Sequence, residues 1–150
     1  NTKHQLLGVY DEKWVKIHCE VLKDLGSENA MVVHGLDGLD EISLSSKTKI
    51  AELKNDKIIE YLFDPTDFGY EYIKNTDIKG GDAEYNAKKF IEMLDGSNKH
   101  FQSIVEINAG AALYLSKKVL TLKEGFELAR NVIENKITKK FLNKIISNNE

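Results

Sequence analysis

The sequence predicts an α/β fold: part of a mainly parallel sheet with a β-hairpin insertion, flanked by helices, and a C-terminal half that is helical. Three patterns predict it. Two short apolar runs flank an amphipathic segment near the N-terminus, which is typical of a βαβ unit with parallel, buried strands. Two further strand-like runs are joined by a turn. From residue 80 onward, apolar residues recur at helical spacing.

The βαβ unit is predicted from the first third of the chain. Its strands are the apolar runs Gln5–Tyr10 and Ala30–His34. The amphipathic segment between them predicts a helix that Asp11 caps and Gly26 ends. Because such crossovers are right-handed, we expect the two strands to be parallel neighbours in one sheet.

The hairpin is predicted after an acidic loop. The loop, Leu36–Glu41, follows the second strand. Ile42–Leu53 and Lys57–Phe63 then have the composition of two strands that pair through the turn between them. Thr66–Lys79 contains aromatic residues without a clear period, so we predict irregular structure there.

The C-terminal half predicts four helices. Asp82 is the expected N-cap of the first, which Gly96 ends. The second, Phe101–Leu115, is apolar nearly all round, which is typical of a helix buried on most sides. Thr121 and Glu124 have the spacing of a capping box and open the third. A short apolar stripe near the C-terminus predicts the fourth.

Composition limits the class of protein. The chain has 150 residues, 41% apolar and 30% charged, which is typical of one folded domain. Its net charge of −3 gives no broad electrostatic surface for nucleic acid or an anionic membrane, so we expect neither as a partner. A single cysteine, Cys19, excludes an intrachain disulfide and a cysteine-based zinc cluster, and favours a cytoplasmic location.

The ends and hydropathy of the chain add two expectations. No apolar run approaches the roughly 18 residues that a membrane-spanning helix needs. The chain begins with Asn1 rather than Met, and a core strand is predicted almost at once. We therefore expect a piece of a longer protein.

The acidic loop is the strongest candidate site. Asp37, Asp40 and Glu41 follow a predicted parallel strand, and ligands of open α/β sheets bind beyond the carboxyl ends of the strands. The adjacent carboxylates of Asp40 and Glu41 suit Mg²⁺, which prefers oxygen ligands and shares its coordination shell with substrate phosphates. The alternative is a solvated acidic turn with no ligand.

Two further positions have open interpretations. His34 closes the second strand and either lines the site or is a structural histidine. The Gly80–Asp82 segment opens a helix, where free backbone N–H groups could hold an anion. Because Asp82 would repel an anion, we favour its role as a cap.

Six segments resemble those of anthranilate phosphoribosyltransferases, and they occur in the order that this family has. They are QLLGVYD at 5–11, VHGLDGLDEIS at 33–43, FDPTDFG at 63–69, GGDAEYNA at 80–87, NAGAALY at 108–114 and LKEG at 122–125. The resemblance covers nearly the whole chain and implies a fold of the nucleoside phosphorylase/phosphoribosyltransferase type.

The resemblance also implies an activity. The family transfers a phosphoribosyl group from phosphoribosyl diphosphate to the nitrogen of anthranilate, in tryptophan biosynthesis. Asp40 and Glu41 match the family's Asp-Glu pair, which binds Mg²⁺ near the diphosphate. The resemblance therefore implies Mg²⁺ as cofactor, with phosphoribosyl diphosphate and anthranilate as substrates.

Several parts of the family have no counterpart in this sequence. The helical domain that makes the family's dimer contact, the glycine-rich diphosphate loop and the acceptor-binding residues all precede the matched segments. The resemblance thus implies that residues 1–150 are the C-terminal part of the α/β catalytic domain and are inactive alone, while the full-length family forms homodimers. Two alternatives remain: a related protein of this fold with another acceptor, and a degenerate, non-catalytic binding module.

Overall fold

A computed structural model describes residues 2–148 of the chain. Within this range, one sheet has the strand order β1-β2-β3-β4. The strands are β1 (His4–Gly8), β2 (Asn29–Gly35), β3 (Thr48–Lys54) and β4 (Lys57–Phe63). β1 and β2 are parallel, as predicted, while β3 is antiparallel to both of its neighbours. The α/β class and the hairpin are confirmed, and the sheet in the described range is mixed.

The helices follow the predicted order. They are α1 (Trp14–Asp24), α2 (Ala83–Asp95), α3 (Lys99–Leu115), α4 (Leu122–Glu134) and α5 (Ile137–Ser147). Two short 3-10 helices, Pro65–Phe68 and Asn75–Ile78, lie in the segment that we expected to be irregular. No helix in the described range is long and apolar enough to cross a membrane.

β2 is the centre of the core because apolar residues project from both of its faces. Met31 and Val33 pack with β3 and with α3 and α4, whereas Ala30 and Val32 pack under α1. Cys19 on α1 is fully buried in the second cluster. Burial raises the pKa of its thiol to about 11, so it is protonated at neutral pH.

The predicted strand Ile42–Leu53 is too long, since β3 begins only at Thr48. Of the preceding residues, Ile42, Ser43 and Leu44 are buried, but side chains rather than a partner strand satisfy much of the backbone of this segment. The N–H of Ile42 donates to the side chain of Asn108, and the N–H of Ser43 donates to the Thr48 hydroxyl at 2.9 Å. Hydropathy alone does not distinguish this arrangement from a strand.

The expected cap of α1 is also wrong. The N-cap is Lys13, which makes no side-chain capping bond. The carboxylate of Asp11 instead accepts the N–H of Lys13 at 3.0 Å, so it closes the turn before the helix. The predicted caps further along are confirmed: Asp82 accepts the N–H of Tyr85, and a capping box opens α4.

α3 is less buried than its composition suggests. One side packs against the sheet, but Ala109 and Ala112 on another side are exposed. α3 and α4 approach closely at two glycines. A Cβ on Gly125 would lie 2.3 Å from the carbonyl oxygen of Gly110, so this crossing excludes any side chain there.

Candidate functional site

The acidic loop leaves the carboxyl end of β2 and passes over the end of β1. The close contact is at Gly8, the last residue of β1, where an added Cβ would lie 1.6 Å from the backbone oxygen of Asp40. Only glycine leaves room for this path. The predicted location of the loop, beyond the carboxyl ends of two parallel strands, is thus what the structure has.

Asp37 organises the loop from inside. Its Oδ2 accepts hydrogen bonds from the hydroxyls of Ser43 and Ser45, both at 2.8 Å, and its Oδ1 accepts the N–H of Leu39 at 3.3 Å. Burial by itself would raise the pKa of Asp37, but these hydrogen bonds outweigh it and hold the pKa below its ordinary value. Asp37 is therefore ionised and fully engaged with the protein.

Asp40 and Glu41 have the opposite environment. Both side chains are exposed. No residue in the range 2–148 donates a hydrogen bond to either carboxylate or forms an ion pair with it. Desolvation by the surrounding chain, followed by the negative charge of Asp40, raises the pKa of Glu41. A cation between two such carboxylates would relieve this repulsion.

A contact with α3 holds the C-terminal end of the loop. Asn108 Oδ1 accepts the N–H of Ile42 at 3.0 Å, and Nδ2 donates to the carbonyl oxygen of Ile42 at 3.0 Å. Glu41, Asn108 and apolar residues of α3 also line a cleft of about 370 Å³. The walls of this cleft include Phe101 and Val105.

His34 is buried near the carboxyl end of β2. Its Nδ1 lies 2.8 Å from the carbonyl oxygen of Val9. A carbonyl only accepts hydrogen bonds, so Nδ1 carries the proton and ties β2 to the residue that follows β1. Of the two interpretations that the sequence left open, this contact favours the structural one.

The donor set limits which ion the loop could hold. Among the described residues, no group of three or more His, Cys, Asp or Glu side chains is placed to bind a metal. Because Asp37 is directed to the serines, only Asp40 and Glu41 offer free oxygens. Two carboxylates fit Mg²⁺, which keeps several waters and completes its shell with substrate phosphates, better than a metal that needs a closed protein cage.

Sequence reasoning missed three residues of this region. Ser43 and Ser45 bind Asp37, and Asn108 binds Ile42 across 66 positions of the chain. A signal for Asn108 was present, because it is an amide directly between apolar residues of α3. The anion alternative at Gly80–Asp82 is not favoured, since Asp82 does cap the helix.

Fold and loop together define the class of this protein. The chain belongs to the glycosyl transferase family, whose a/b domain matches residues 1–137. The resemblance noted in the sequence is confirmed among its relatives. The chain is 44% identical over 144 residues to the anthranilate phosphoribosyltransferase of Alkaliphilus metalliredigens, and 47% identical over 132 residues to that of a Thermoanaerobacter species.

Solved structures agree with these relatives. The anthranilate phosphoribosyltransferase of Thermus thermophilus matches with a TM-score of 0.84 at 30% identity, over 93% of this chain and 41% of that one. The Saccharomyces cerevisiae enzyme in complex with PRPP and Mg shares the fold, with a TM-score of 0.75 at 24% identity over 89% of this chain. The match to the Alkaliphilus enzyme includes 96% of this chain but only 42% of the length of that relative.

Proposed function

We propose that this chain is part of an anthranilate phosphoribosyltransferase, which transfers phosphoribosyl from phosphoribosyl diphosphate to the amine of anthranilate and releases diphosphate. The observation that carries the proposal is the Asp40–Glu41 pair, exposed and without protein donors at the carboxyl end of β2 in a glycosyl transferase fold. The names of the relatives support the choice of substrates and the place in tryptophan biosynthesis.

The proposal assigns Mg²⁺ to Asp40 and Glu41. Desolvation and then the charge of Asp40 raise the pKa of Glu41, and a divalent cation bound by the pair would stabilise the ionised form of Glu41. A fold neighbour whose structure holds PRPP and Mg is consistent with this assignment. When bound, the ion would neutralise charge that develops on the leaving diphosphate.

The residues of this chain then have distinct parts in the site. Asp40 and Glu41 hold the ion, and Asp37 with Ser43 and Ser45 keeps the loop in one conformation. A preorganised pair of ligands needs no rearrangement when charge forms in the transition state.

We further propose that residues 1–150 correspond to the C-terminal part of the α/β catalytic domain. The chain spans 42% of the length of its Alkaliphilus relative, so more than half of such an enzyme would come from other residues. On this proposal, those other residues contain the diphosphate loop, the acceptor pocket and the helical domain of a homodimer. The 150 residues alone therefore have no transferase activity. A cytoplasmic location belongs to the same proposal.

The test is to replace Asp40 with Asn and Glu41 with Gln in the natural protein that carries this chain. We expect the rate at fixed Mg²⁺ to fall by about 100-fold or more, because a metal contributes several kcal/mol to the transition state. The free energy of unfolding should change by less than about 0.5 kcal/mol, since both side chains are exposed.

A matched control is Glu127→Gln, which removes one exposed carboxylate from α4. It should leave both the rate and the Mg²⁺ requirement unchanged. If the double variant keeps the Mg²⁺ dependence of the unmodified protein, the assignment of the metal site is wrong.

A further inference from the structure

Asn108 contacts the acidic loop at the residue that follows Glu41. Its side-chain amide accepts from the N–H of Ile42 and donates to the carbonyl of the same residue, both at 3.0 Å. The same Nδ2 also donates to the carbonyl oxygen of Ile104 at 3.0 Å, which fixes the amide on its own helix. The amide therefore binds both backbone polar groups of Ile42, and its three hydrogen bonds fix its orientation.

The hydrogen bonds from Asn108 to Ile42 restrict the conformation of the backbone at the neighbouring residue Glu41. Ile42 is fully buried, so the chain is held on the C-terminal side of the pair. On the N-terminal side, the backbone of Asp40 lies against Gly8. Glu41 and Asn108 also line the same cleft.

We propose that Asn108 is a positioning residue for the metal site: by binding both backbone groups of Ile42, it sets the direction in which Glu41 and Asp40 present their carboxylates. This rests on the function proposed above. It also gives the NAGAALY segment a chemical role, because the asparagine binds the loop while Gly110 packs against α4.

The role predicts a specific loss when the amide is removed. Groups that orient metal ligands without touching the metal change metal affinity by about 10- to 100-fold when they are mutated. We expect Asn108→Ala to raise the Mg²⁺ concentration for half-maximal activity about 10-fold. Asn108→Asp keeps the acceptor for the N–H of Ile42 but loses the donor, so its effect should be at least as large.

A merely structural role must be distinguished from positioning. Leu115→Ala is the control, because Leu115 is buried at the C-terminal end of α3, about two helical turns beyond Asn108. It should lower the stability of the natural protein without altering the Mg²⁺ requirement by more than about twofold, since it removes none of the hydrogen bonds of Asn108.

Two readouts do not depend on turnover. Mn²⁺ binding, followed by electron paramagnetic resonance, should weaken in Asn108→Ala but not in Leu115→Ala. Hydrogen exchange of the peptide that contains residues 39–44 should accelerate in Asn108→Ala, because the N–H of Ile42 loses its acceptor. These measurements use the complete natural protein.

The outcomes separate this proposal from the one on which it rests. If Glu41→Gln weakens Mn²⁺ binding and Asn108→Ala does not, the positioning role is overturned and the metal site stands. If neither variant changes Mn²⁺ binding, the metal site is overturned and the positioning role with it. If both weaken binding in a protein that has no transferase activity, positioning stands and the proposed reaction is wrong.

Discussion

The buried carboxylate of Glu106 on α3 has hydrogen-bond donors from the protein, whereas the exposed carboxylates of Asp40 and Glu41 in the acidic loop do not. Glu106 is 2% exposed and accepts hydrogen bonds from Gln102 at 2.7 Å and from Arg130 at 3.1 Å. Asp40 and Glu41 receive no such bond from any residue that the structure describes. The same chemical group is thus fully paired in one region and left to solvent in the other.

The difference shows how to separate a structural carboxylate from a candidate ligand. A buried charge is costly unless the protein supplies donors, so Glu106 could not exist there without them. An exposed carboxylate loses little by lacking a partner, and its oxygens remain open to a cation. Asp37 lies between these extremes, because it is partly buried and uses its oxygens to hold the loop.

The largest expected effect comes from breaking the buried arrangement. Glu106→Ala should lower the free energy of unfolding by about 3 kcal/mol, because it leaves Arg130 and Gln102 without their acceptor. Urea denaturation of the natural protein measures it. Glu127→Ala, which removes an exposed carboxylate from α4, should cost less than about 0.5 kcal/mol. Equal losses in the two variants would contradict the contrast.

A smaller effect is expected at the second buried carboxylate, Glu52. It accepts the hydroxyls of Tyr61 at 2.9 Å and Tyr114 at 2.7 Å. Glu52→Gln keeps the shape but leaves one acceptor oxygen, so stability should fall by about 1–2 kcal/mol. Burial and then the charge of Glu52 hold the pKa of Tyr61 above its ordinary value. Absorbance titration in alkali should therefore show Tyr61 ionising at lower pH in the variant, and an unchanged titration would contradict this.

The sequence predicted those elements whose bounds are set by neighbouring residues, and it failed where distant residues set them. β4 has the predicted bounds, Lys57–Phe63, because turn residues mark its start and a proline follows its end. The capping box at Thr121 is likewise contained in four residues. The segment 42–47 was predicted as strand together with β3, and its apolar residues Ile42 and Leu44 alternate with serines, whereas side chains elsewhere bind its backbone.

The candidate site divides in the same way. The location of Asp40 and Glu41 could be predicted, since residues that directly follow a parallel strand lie at the carboxyl end of the sheet. The roles of Asp37 and Asn108 could not. Asp37 has the same side chain as Asp40, and only the folded loop shows which of the two faces the serines. The contact of Asn108 joins residues 66 positions apart.

Asp37 offers a prediction of moderate size with a defined pH dependence. Asp37→Asn should cost about 1 kcal/mol at neutral pH, because the hydroxyls of Ser43 and Ser45 lose a charged acceptor. The folded-state pKa of Asp37 is lowered, so its stabilisation is present above the ordinary value of 3.8 and lost as the pH falls below it. Unfolding measured between neutral and acidic pH should therefore show the gap between variant and unmodified protein closing in acid.

Glu41 should have the smallest effect on stability, with the opposite sign. Its folded-state pKa is raised, so the stabilisation that it contributes is complete below the ordinary value of 4.5 and is lost as the pH rises through the higher folded value. Glu41→Gln stays neutral and should therefore be slightly more stable than the unmodified protein at pH 7. Solvent screening should keep the gain below about 0.5 kcal/mol.

Magnesium should reverse this order of stability. A ligand that binds only the folded state stabilises it, so Mg²⁺ should raise the unfolding free energy of the unmodified protein and not that of Glu41→Gln. The comparison needs thermal unfolding at pH 7 with and without Mg²⁺, and Glu127→Gln as the variant that keeps the loop intact. An equal response to Mg²⁺ in all three proteins would mean that the exposed pair differs from Glu106 only in burial and holds no ion.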